Sequence, residues 1–385
     1  VRAISLNVAQ HCNLGCRYCY ADEGKFGADA QLMPQDVAFA AVDRLIEQCP
    51  AGEDVIVGFM GGEPMLNRKL IRQVTEYTSE QADQHGARAK FSITTNATLL
   101  SQSDARFFAK YGFQVTVSLD GPKEVNDKLR PNAKGGSSYD ALLRGIKWLL
   151  QHPPGHLSGR ITVTPQTPRL LPLLQHVVAM GFDDVGFAPV LVSPDPDFEF
   201  QADDFTRFAL QMRECGAYAL GQLKLGKRFA FSNFETALNE LHRGSHRPYP
   251  CGAGAGYLSV SAKGDFYACH RLIDLEQWHM GDLQNGFNNE RRQQHLNNSF
   301  VDKQTPCKNC WARYLCGGGC HHEVEKRGRP GCDYIRSWLE FCLGAYSELS
   351  TSHPDYFVTP QQFFNAAQTS NTGPQDVNAK MEQFL

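Results

Sequence analysis

The sequence predicts an α/β protein, built as an incomplete barrel of six β/α units and followed by a second, cysteine-rich domain. Two observations predict the barrel: short β-branched runs alternate with amphipathic helical stretches, and six such strand segments precede residue 190. A third observation predicts the second domain, because Gly- and Cys-rich loops replace this alternation after about residue 246. In such a barrel, the chemistry lies on loops that follow the carboxyl ends of the strands.

Two helices illustrate the alternation. One is predicted to follow Pro34, where an apolar stripe recurs at helical spacing and stops before Pro50. Another is predicted from Ser103 to Lys110, ending near Gly112. The predicted strands are Ile4 to Ala9, Val55 to Met60, Phe91 to Thr94, Gln114 to Ser118, Ile161 to Thr164 and Val185 to Ala188.

Composition shifts divide the chain into four parts. We predict a barrel over residues 1–195, a linker and helical bridge over 196–245, the cysteine-rich domain over 246–345, and a polar tail over 346–385. In the tail, Phe357, Phe363 and Phe364 are candidates for docking, with disorder as the alternative. The first predicted strand begins almost at Val1, so we expect further sequence upstream.

Charge and cysteine content narrow the class. The formal net charge of -3 carries no nucleic-acid signature, and no apolar run reaches the roughly 18 residues that span a bilayer. Ten of the 13 cysteines fall within residues 12–19 and 251–332. These runs could pair in an oxidising compartment, but C-x2-C spacing favours metal binding. We therefore expect a protein of the reducing cytoplasm that binds neither nucleic acid nor membrane.

The first cysteine group has the spacing C-x3-C-x2-C. Cys12, Cys16 and Cys19 follow the first predicted strand, and three thiolates hold three irons of a [4Fe–4S] cluster while leaving the fourth open. An open iron can chelate the amino and carboxylate groups of S-adenosylmethionine. The alternative is a zinc knuckle, for which His11 is the nearby fourth ligand.

A glycine-rich turn follows the second predicted strand. Its sequence GGEP places Gly61 and Gly62, which allow a ligand close to the backbone, before Glu63 and Pro64. The Glu63 carboxylate is expected to accept a hydrogen bond from an ammonium group. The alternative is an ordinary strand-to-helix turn with a surface glutamate.

The triad, followed some forty residues later by GGEP, resembles the radical S-adenosylmethionine (SAM) superfamily. The resemblance implies a partial (β/α)6 TIM-like barrel and places polar groups against the cofactor at later strand ends. It implies that Tyr18 lies against the adenine, and that Arg130 pairs with the cofactor carboxylate. The polar groups that it implies for the methionyl and ribose parts are Thr95, Asn96, Ser118 and Asp120.

The second cysteine group resembles the twin-cluster iron–sulfur extension called SPASM. The resemblance implies a first auxiliary [4Fe–4S] cluster on Cys251, Cys269 and Cys320, and hence three clusters in all. It implies a second auxiliary cluster on Cys307, Cys310, Cys316 and Cys332.

This chain departs from the SPASM pattern at two points. The run CGAGAGY after Cys251 lacks a further cysteine, so the first auxiliary cluster is expected to keep an open iron that binds a substrate thiolate. Cys342 is the alternative to Cys332 as the last ligand. Cys49 and Cys215 are interpreted as plain buried thiols. His321 and His322 are interpreted as groups around the clusters or at the surface, with direct cluster ligation as the alternative.

SPASM relatives mostly modify peptides. Three further segments resemble the thioether-forming maturases, above all the family that cross-links the small subunit of quinohemoprotein amine dehydrogenase. These segments are YADEGKFGADAQLM, GGEPMLN and CDYIRSWLEFC. The resemblance implies a Cys-rich peptide substrate, cross-links from Cys sulfur to Asp or Glu methylenes, and an electron donor such as flavodoxin or ferredoxin. Sulfatase-activating relatives carry an acidic base where this chain has His270, which is the catalytic candidate.

Several alternatives stay open. They are sactipeptide or ranthipeptide synthesis, carbon–carbon bond formation, sulfatase activation, an iron–sulfur electron carrier and a zinc-binding module.

Overall fold

The computed structural model describes residues 1–27, 29–358, 377 and 381–384. Six strands run parallel and in sequential order, each paired with the next, and helices connect them. This is the predicted α/β architecture with a parallel sheet at its core. The six strands are β1 (Ala3–Ala9), β2 (Asp54–Gly61), β3 (Arg88–Thr95), β4 (Gln114–Ser118), β5 (His156–Val163) and β6 (Asp184–Pro189).

Six helices lie in the connections between these strands, and the first follows Pro34 as predicted. Ser101 caps the third, because its hydroxyl accepts the Asp104 N–H while the Asp104 carboxylate accepts the Ser101 N–H. The helices are α1 (Gln35–Ile46), α2 (Arg68–Gln84), α3 (Gln102–Lys110), α4 (Lys123–Leu129), α5 (Tyr139–Gln151) and α6 (Leu170–Met180).

The cysteine-rich half extends the same sheet. β7 (Tyr257–Val260) pairs in parallel with β1, and β8 (Asp265–Tyr267), β9 (His279–Asp282) and β10 (Gly286–Phe287) follow as antiparallel strands. One apolar core runs through both halves. β7 covers the free edge of β1, so the strands of both halves share this core.

Two helices fill residues 202–242, and a long C-terminal helix packs against both. Phe357 is buried beside that helix, whereas Phe363 and Phe364 lie outside the described residues. In the described part of the chain, no helix is long and apolar enough to cross a membrane. The remaining helices are α7 (Ala202–Lys224), α8 (Ser232–His242), α9 (Asn289–Ser299), α10 (Arg313–Cys316), α11 (His321–Arg327), α12 (Cys332–Ser352) and α13 (Asp355–Val358).

Candidate active site

A cavity of about 230 Å³ opens at the carboxyl ends of the six parallel strands, and we call it the barrel cavity. Residues in or beyond the carboxyl-terminal half of every one of these strands line it. They include Cys12, Cys16 and Cys19, which the cysteine loop (residues 10–27) brings to one wall. The predicted triad therefore faces a chamber that the whole barrel encloses.

The three thiols are free and partly buried. Burial raises the pKa of Cys12 to about 12 and that of Cys16 to about 11, so both are protonated in the metal-free chain at neutral pH. Across the described residues, no three His, Cys, Asp or Glu side chains are close enough to hold a single metal ion. Three free thiols on one cavity wall fit a bulkier iron–sulfur group, which binds thiolates.

Gly61 and Gly62 line the barrel cavity where β2 passes the cysteine loop. A β-carbon on Gly61 would lie 2.4 Å from the Ala9 carbonyl oxygen, and one on Gly62 would lie 2.4 Å from that of His11. Gly61 also has a positive φ of 147°. Glycine is required here because the cysteine loop and the GGEP turn approach each other backbone to backbone.

Glu63 lies behind this wall and is 1% exposed. Its carboxylate accepts hydrogen bonds from Met65 N at 3.0 Å, Thr95 Oγ1 at 2.7 Å and Asn96 N at 2.7 Å. Burial raises its pKa despite these donors. Glu63 and the buried Pro64 are not among the described residues that line the cavity, so in this structure the carboxylate joins the ends of β2 and β3.

Thr95 and Asn96 do line the cavity, beside the triad. The Asn96 side-chain nitrogen, Nδ2, donates to Asn13 Oδ1 at 3.0 Å and approaches Cys12 Sγ at 3.9 Å. The Thr95 hydroxyl is engaged by Glu63. The GGEP turn thus positions the end of β3 against the cysteine loop.

Tyr18, Asp120 and Arg130 form one buried polar group. Tyr18 donates to Asp120 Oδ2 at 2.6 Å, and Arg130 donates to the Tyr18 hydroxyl oxygen. The Arg130 and Asp120 charges lie 3.9 Å apart. Tyr18, Arg130 and Ser118 line the cavity, while the fully buried Asp120 contacts Tyr18 and Arg130 from behind and also accepts a hydrogen bond from Thr162 N. Arg130 Nε is buried without a partner among the described residues, which leaves it a donor for a bound anion.

A second cavity of about 480 Å³ lies beside the first, and we call it the cysteine cavity. Leu191 and Glu323 line both cavities. Cys342 is 0% exposed and packs in the core within α12, not on this wall. The cysteines on the wall are Cys307, Cys310, Cys316, Cys320 and Cys332.

Of the two remaining cysteines of the predicted auxiliary sets, Cys269 has both Cys251 and Cys320 as neighbours. Burial, with Cys320 and Cys251 as negative neighbours, raises the pKa of Cys269 to about 12. Cys307 and Cys316 are likewise neighbours of Cys332. The two ligand sets that the SPASM resemblance implies, and the place of Cys320 between them, stay predictions. Cys49 and Cys215 are buried, as predicted.

His270 lies behind the barrel cavity. Its Nδ1 is 3.2 Å from the Tyr257 hydroxyl, and burial together with the Arg271 charge lowers its pKa to about 3. The next residue, Arg271, is the one that lines the cavity. His270 therefore stays a catalytic prediction without direct access to the chamber in this structure.

Sequence reasoning missed four charged residues of the barrel cavity, Glu23, Arg160, Arg271 and Glu323. Two had a usable signal: Arg271 lies two residues after Cys269, and Glu323 lies three residues after Cys320. Arg160 lies in β5, whose predicted start at Ile161 left it outside the strand.

The fold and this site place the protein in the class of α/β barrel enzymes that carry a cysteine triad at the barrel mouth. Residues 6–170 match the family model of the Radical SAM superfamily, so the chain contains a Radical SAM domain and therefore a site for a [4Fe–4S] cluster and SAM.

The chain is also similar to larger stretches of known proteins. It is 24% identical to the serine-type anaerobic sulfatase-maturating enzyme of Klebsiella aerogenes, over 82% of this chain and 78% of the relative. It is 21% identical to the radical SAM cyclopropyl synthase TigE of Paramaledivibacter caminithermalis, over 85% of this chain and 69% of TigE.

Among solved structures, anSMEcpe with bound AdoMet superposes with a TM-score of 0.79 at 20% identity, covering 95% of this chain and 97% of anSMEcpe. SuiB of Streptococcus suis bound to precursor peptide SuiA superposes with a TM-score of 0.59 at 17% identity, covering 86% and 74%. These likenesses show the shared fold.

Proposed function

We propose that this chain is a radical SAM maturase that forms intrapeptide thioethers between a cysteine sulfur and a methylene carbon of Asp or Glu. The observation that carries the proposal is the wall shared by the two cysteine-lined cavities, to which Leu191 and Glu323 belong. Homology to sulfatase-maturating enzymes and to TigE supports a peptide or protein substrate. The candidate substrate is the cysteine-rich small subunit of quinohemoprotein amine dehydrogenase.

The cysteines fit three [4Fe–4S] clusters. Cys12, Cys16 and Cys19 would hold the cluster that binds SAM, and the seven downstream cysteines would hold two auxiliary clusters in the sets predicted above. When bound, these groups supply a 5′-deoxyadenosyl radical by one-electron reduction of SAM and an acceptor for a departing electron. A flavodoxin or ferredoxin would deliver the entering electron.

The cross-link breaks one C–H bond and one S–H bond and forms one C–S bond. The hydrogen atom leaves as part of 5′-deoxyadenosine, the thiol proton passes to a base, and one electron leaves the substrate. The product is therefore two hydrogen atoms lighter than the peptide. His270 remains the catalytic residue that the sequence predicts.

The chain's own residues would bind the reactants and keep water out. Tyr18, Arg130, Thr95, Asn96 and Ser118 offer polar groups on the cavity wall. Val190, Leu191 and Val192 form an apolar stretch after β6, which supports exclusion of water from a radical site.

Anaerobic incubation with SAM, dithionite and the small subunit tests the proposal. We expect 5′-deoxyadenosine and a peptide that loses two hydrogen atoms and one alkylatable thiol per cross-link. The Cys12→Ala variant is the control and should form neither product. Peptide modification without a Cys-linked product would refute the thioether. Iron binding without 5′-deoxyadenosine would indicate an electron carrier, and a zinc-loaded chain with little iron would indicate a zinc module.

Sulfatase activation is the second candidate, and homology to the Klebsiella enzyme favours it. That reaction oxidises a single residue to an aldehyde, so a hydrazide probe would label its product. The thioether leaves no carbonyl group to label. A hydrazide-reactive product from a sulfatase peptide would support this second function.

A further inference from the structure

Arg160 lies on β5 with its side chain in the barrel cavity. Along this strand, Gly159 and Ile161 are buried, while Arg160 and Thr162 line the cavity. Strand residues alternate between two faces, so this alternation assigns Arg160 to the inner face of the barrel. The residue as a whole keeps an exposed surface.

Three arginines line the barrel cavity, and two of them are engaged. Arg130 bonds Tyr18 and faces Asp120. Arg271 pairs with Glu323 at 2.9 Å and lies over the Tyr20 ring at 4.6 Å. Arg160 makes no side-chain hydrogen bond or ion pair with any described residue.

An arginine in this state favours an incoming anion. The guanidinium stays charged at all accessible pH values and offers five donors in a planar fork. Burial and the neighbouring Arg271 charge lower the pKa of Arg160, so the surroundings disfavour the cation as it stands. Glu323, Asp184 and Tyr334 lie near enough to affect it, but none pairs with it. A carboxylate in bidentate contact would supply the missing partner.

The neighbours of Arg160 distinguish a substrate carboxylate from that of the cofactor. Arg271, Glu323 and Tyr334 belong to the cysteine-rich half of the chain and Asp184 belongs to β6, so none of them lies in the loop that carries the triad. Arg130 lies with Tyr18 of the cysteine loop and has a free buried Nε. Arg130 therefore suits the cofactor, and Arg160 faces the side where a substrate thiol would lie.

We infer that Arg160 binds the side-chain carboxylate of the acidic residue that is cross-linked. This inference rests on the proposed function and adds the residue that selects the substrate. A fixed carboxylate presents the adjacent methylene, which is the β-carbon of Asp and the γ-carbon of Glu. One arginine thus accounts for both acceptors, because each is the carbon next to the carboxyl group. Arg160 is a specificity-determining residue, and it transfers no proton or electron.

A double-mutant cycle, with one substitution in the enzyme and one in the peptide, tests this contact. The probes are the small subunit of quinohemoprotein amine dehydrogenase and a version in which each cross-linked Asp or Glu is Asn or Gln. The enzymes are wild type, Arg160→Gln, Arg160→Lys and the control Arg169→Gln, whose exposed arginine pairs with Glu214. For each pair we measure the dissociation constants of peptide and SAM, 5′-deoxyadenosine formation and iron content.

Arg160→Gln in the enzyme, or the amide substitutions in the peptide, should each lower kcat/KM and peptide affinity by about 100-fold, because either change removes the charge pair. Combining Arg160→Gln with the amide peptide should cost no further loss, since the contact is already absent. Arg160→Lys should restore part of the affinity, about 10-fold, because a lysine keeps the charge without the bidentate fork. SAM affinity, iron content and the Arg169→Gln variant should match wild type within about twofold.

Two outcomes overturn the inference. Losses that multiply in the combined case would show that Arg160 does not contact the carboxylate. Weakened SAM binding with unchanged peptide binding would assign Arg160 to the cofactor. The proposed function fails separately, if wild type binds the small subunit but forms no thioether; the peptide-binding cycle then still decides the role of Arg160. No binding of the small subunit to wild type would overturn both.

Discussion

Tyr18 donates a hydrogen bond to Asp120 at 2.6 Å and so joins two loops that are 102 residues apart in sequence. Tyr18 lies between Cys16 and Cys19 on the cysteine loop, and Asp120 follows β4. Arg130 completes the group by donating to the same hydroxyl. Because every member is buried, the group fixes the cysteine loop against the far side of the barrel.

Tyr18→Phe should destabilise the protein by about 1–3 kcal/mol, because Asp120 and Arg130 each lose a buried partner. SAM affinity should fall as well, since the loop that carries the triad is less firmly held. Thermal unfolding of the anaerobic holoprotein and equilibrium binding of SAM measure the two effects. Tyr346→Phe is the control, because among the described residues its hydroxyl hydrogen-bonds only the exposed His242, at 3.3 Å. Equal effects of the two substitutions would contradict this role for Tyr18.

Cys332 and Cys342 lie ten residues apart in α12 but differ in surroundings. Cys332 lines the cysteine cavity, and Cys342 is buried in the apolar core. Cys332→Ala should therefore lower the iron and sulfide content of the reconstituted protein by the equivalent of one cluster per chain. Cys342→Ala should keep full iron and lose only about 1 kcal/mol of stability. Iron and labile-sulfide analysis per chain decides this, and iron loss with Cys342→Ala alone would reverse the assignment.

Most of the barrel was predictable because its signals are local. β-Branched runs marked all six strands, and β4 has the bounds that the sequence predicts, Gln114–Ser118. The pairing of β7 with β1 was not predictable in this way. It joins Ala3 to Tyr257, and a four-residue strand of a glycine-rich segment carries little periodicity.

The candidate site likewise has a part that the sequence predicts and a part that requires the fold. Spacing alone drew attention to the cysteines, because metal binding requires particular residues at short intervals. The partners of Glu63 required the fold, since Thr95 and Asn96 come from the neighbouring strand. Arg160 could not be found from spacing, because its significance is the lack of a partner in three dimensions.

His156 should make stability depend on pH. Its Nε2 lies 2.6 Å from Asp184, and this hydrogen bond raises the pKa of His156 despite partial burial and the nearby Arg228 charge; Asp183 lies 3.6 Å from Nδ1. A raised pKa means that protonation favours the folded state. The contribution is complete below about pH 6.5, the pKa of an unperturbed histidine, and is lost as pH rises through the folded-state value.

Wild type should accordingly exceed His156→Gln in stability by about 1 kcal/mol at pH 6 and by less at pH 9; the estimate is small because the imidazole is over a third exposed. Asp184→Asn should reduce the pH dependence and leave the smaller contribution of Asp183. Thermal unfolding at the two pH values measures both variants. A difference between wild type and His156→Gln that grows with pH would show that the sign is wrong.

Glu323 should couple the two cavities. It lines both of them and pairs with Arg271 at 2.9 Å, and both side chains are largely buried. Glu323→Gln leaves the Arg271 charge without its partner at the shared wall, which costs about 2 kcal/mol for a partly buried pair. We expect 5′-deoxyadenosine formation to continue while the yield of modified peptide per 5′-deoxyadenosine falls several-fold. Adding Arg271→Met should cause little further loss, because the two side chains act as one pair.

The control is Glu276→Gln, which breaks an exposed pair with Arg291 and should keep the wild-type yield. An unchanged yield in Glu323→Gln would mean that the shared wall has no part in steering the product.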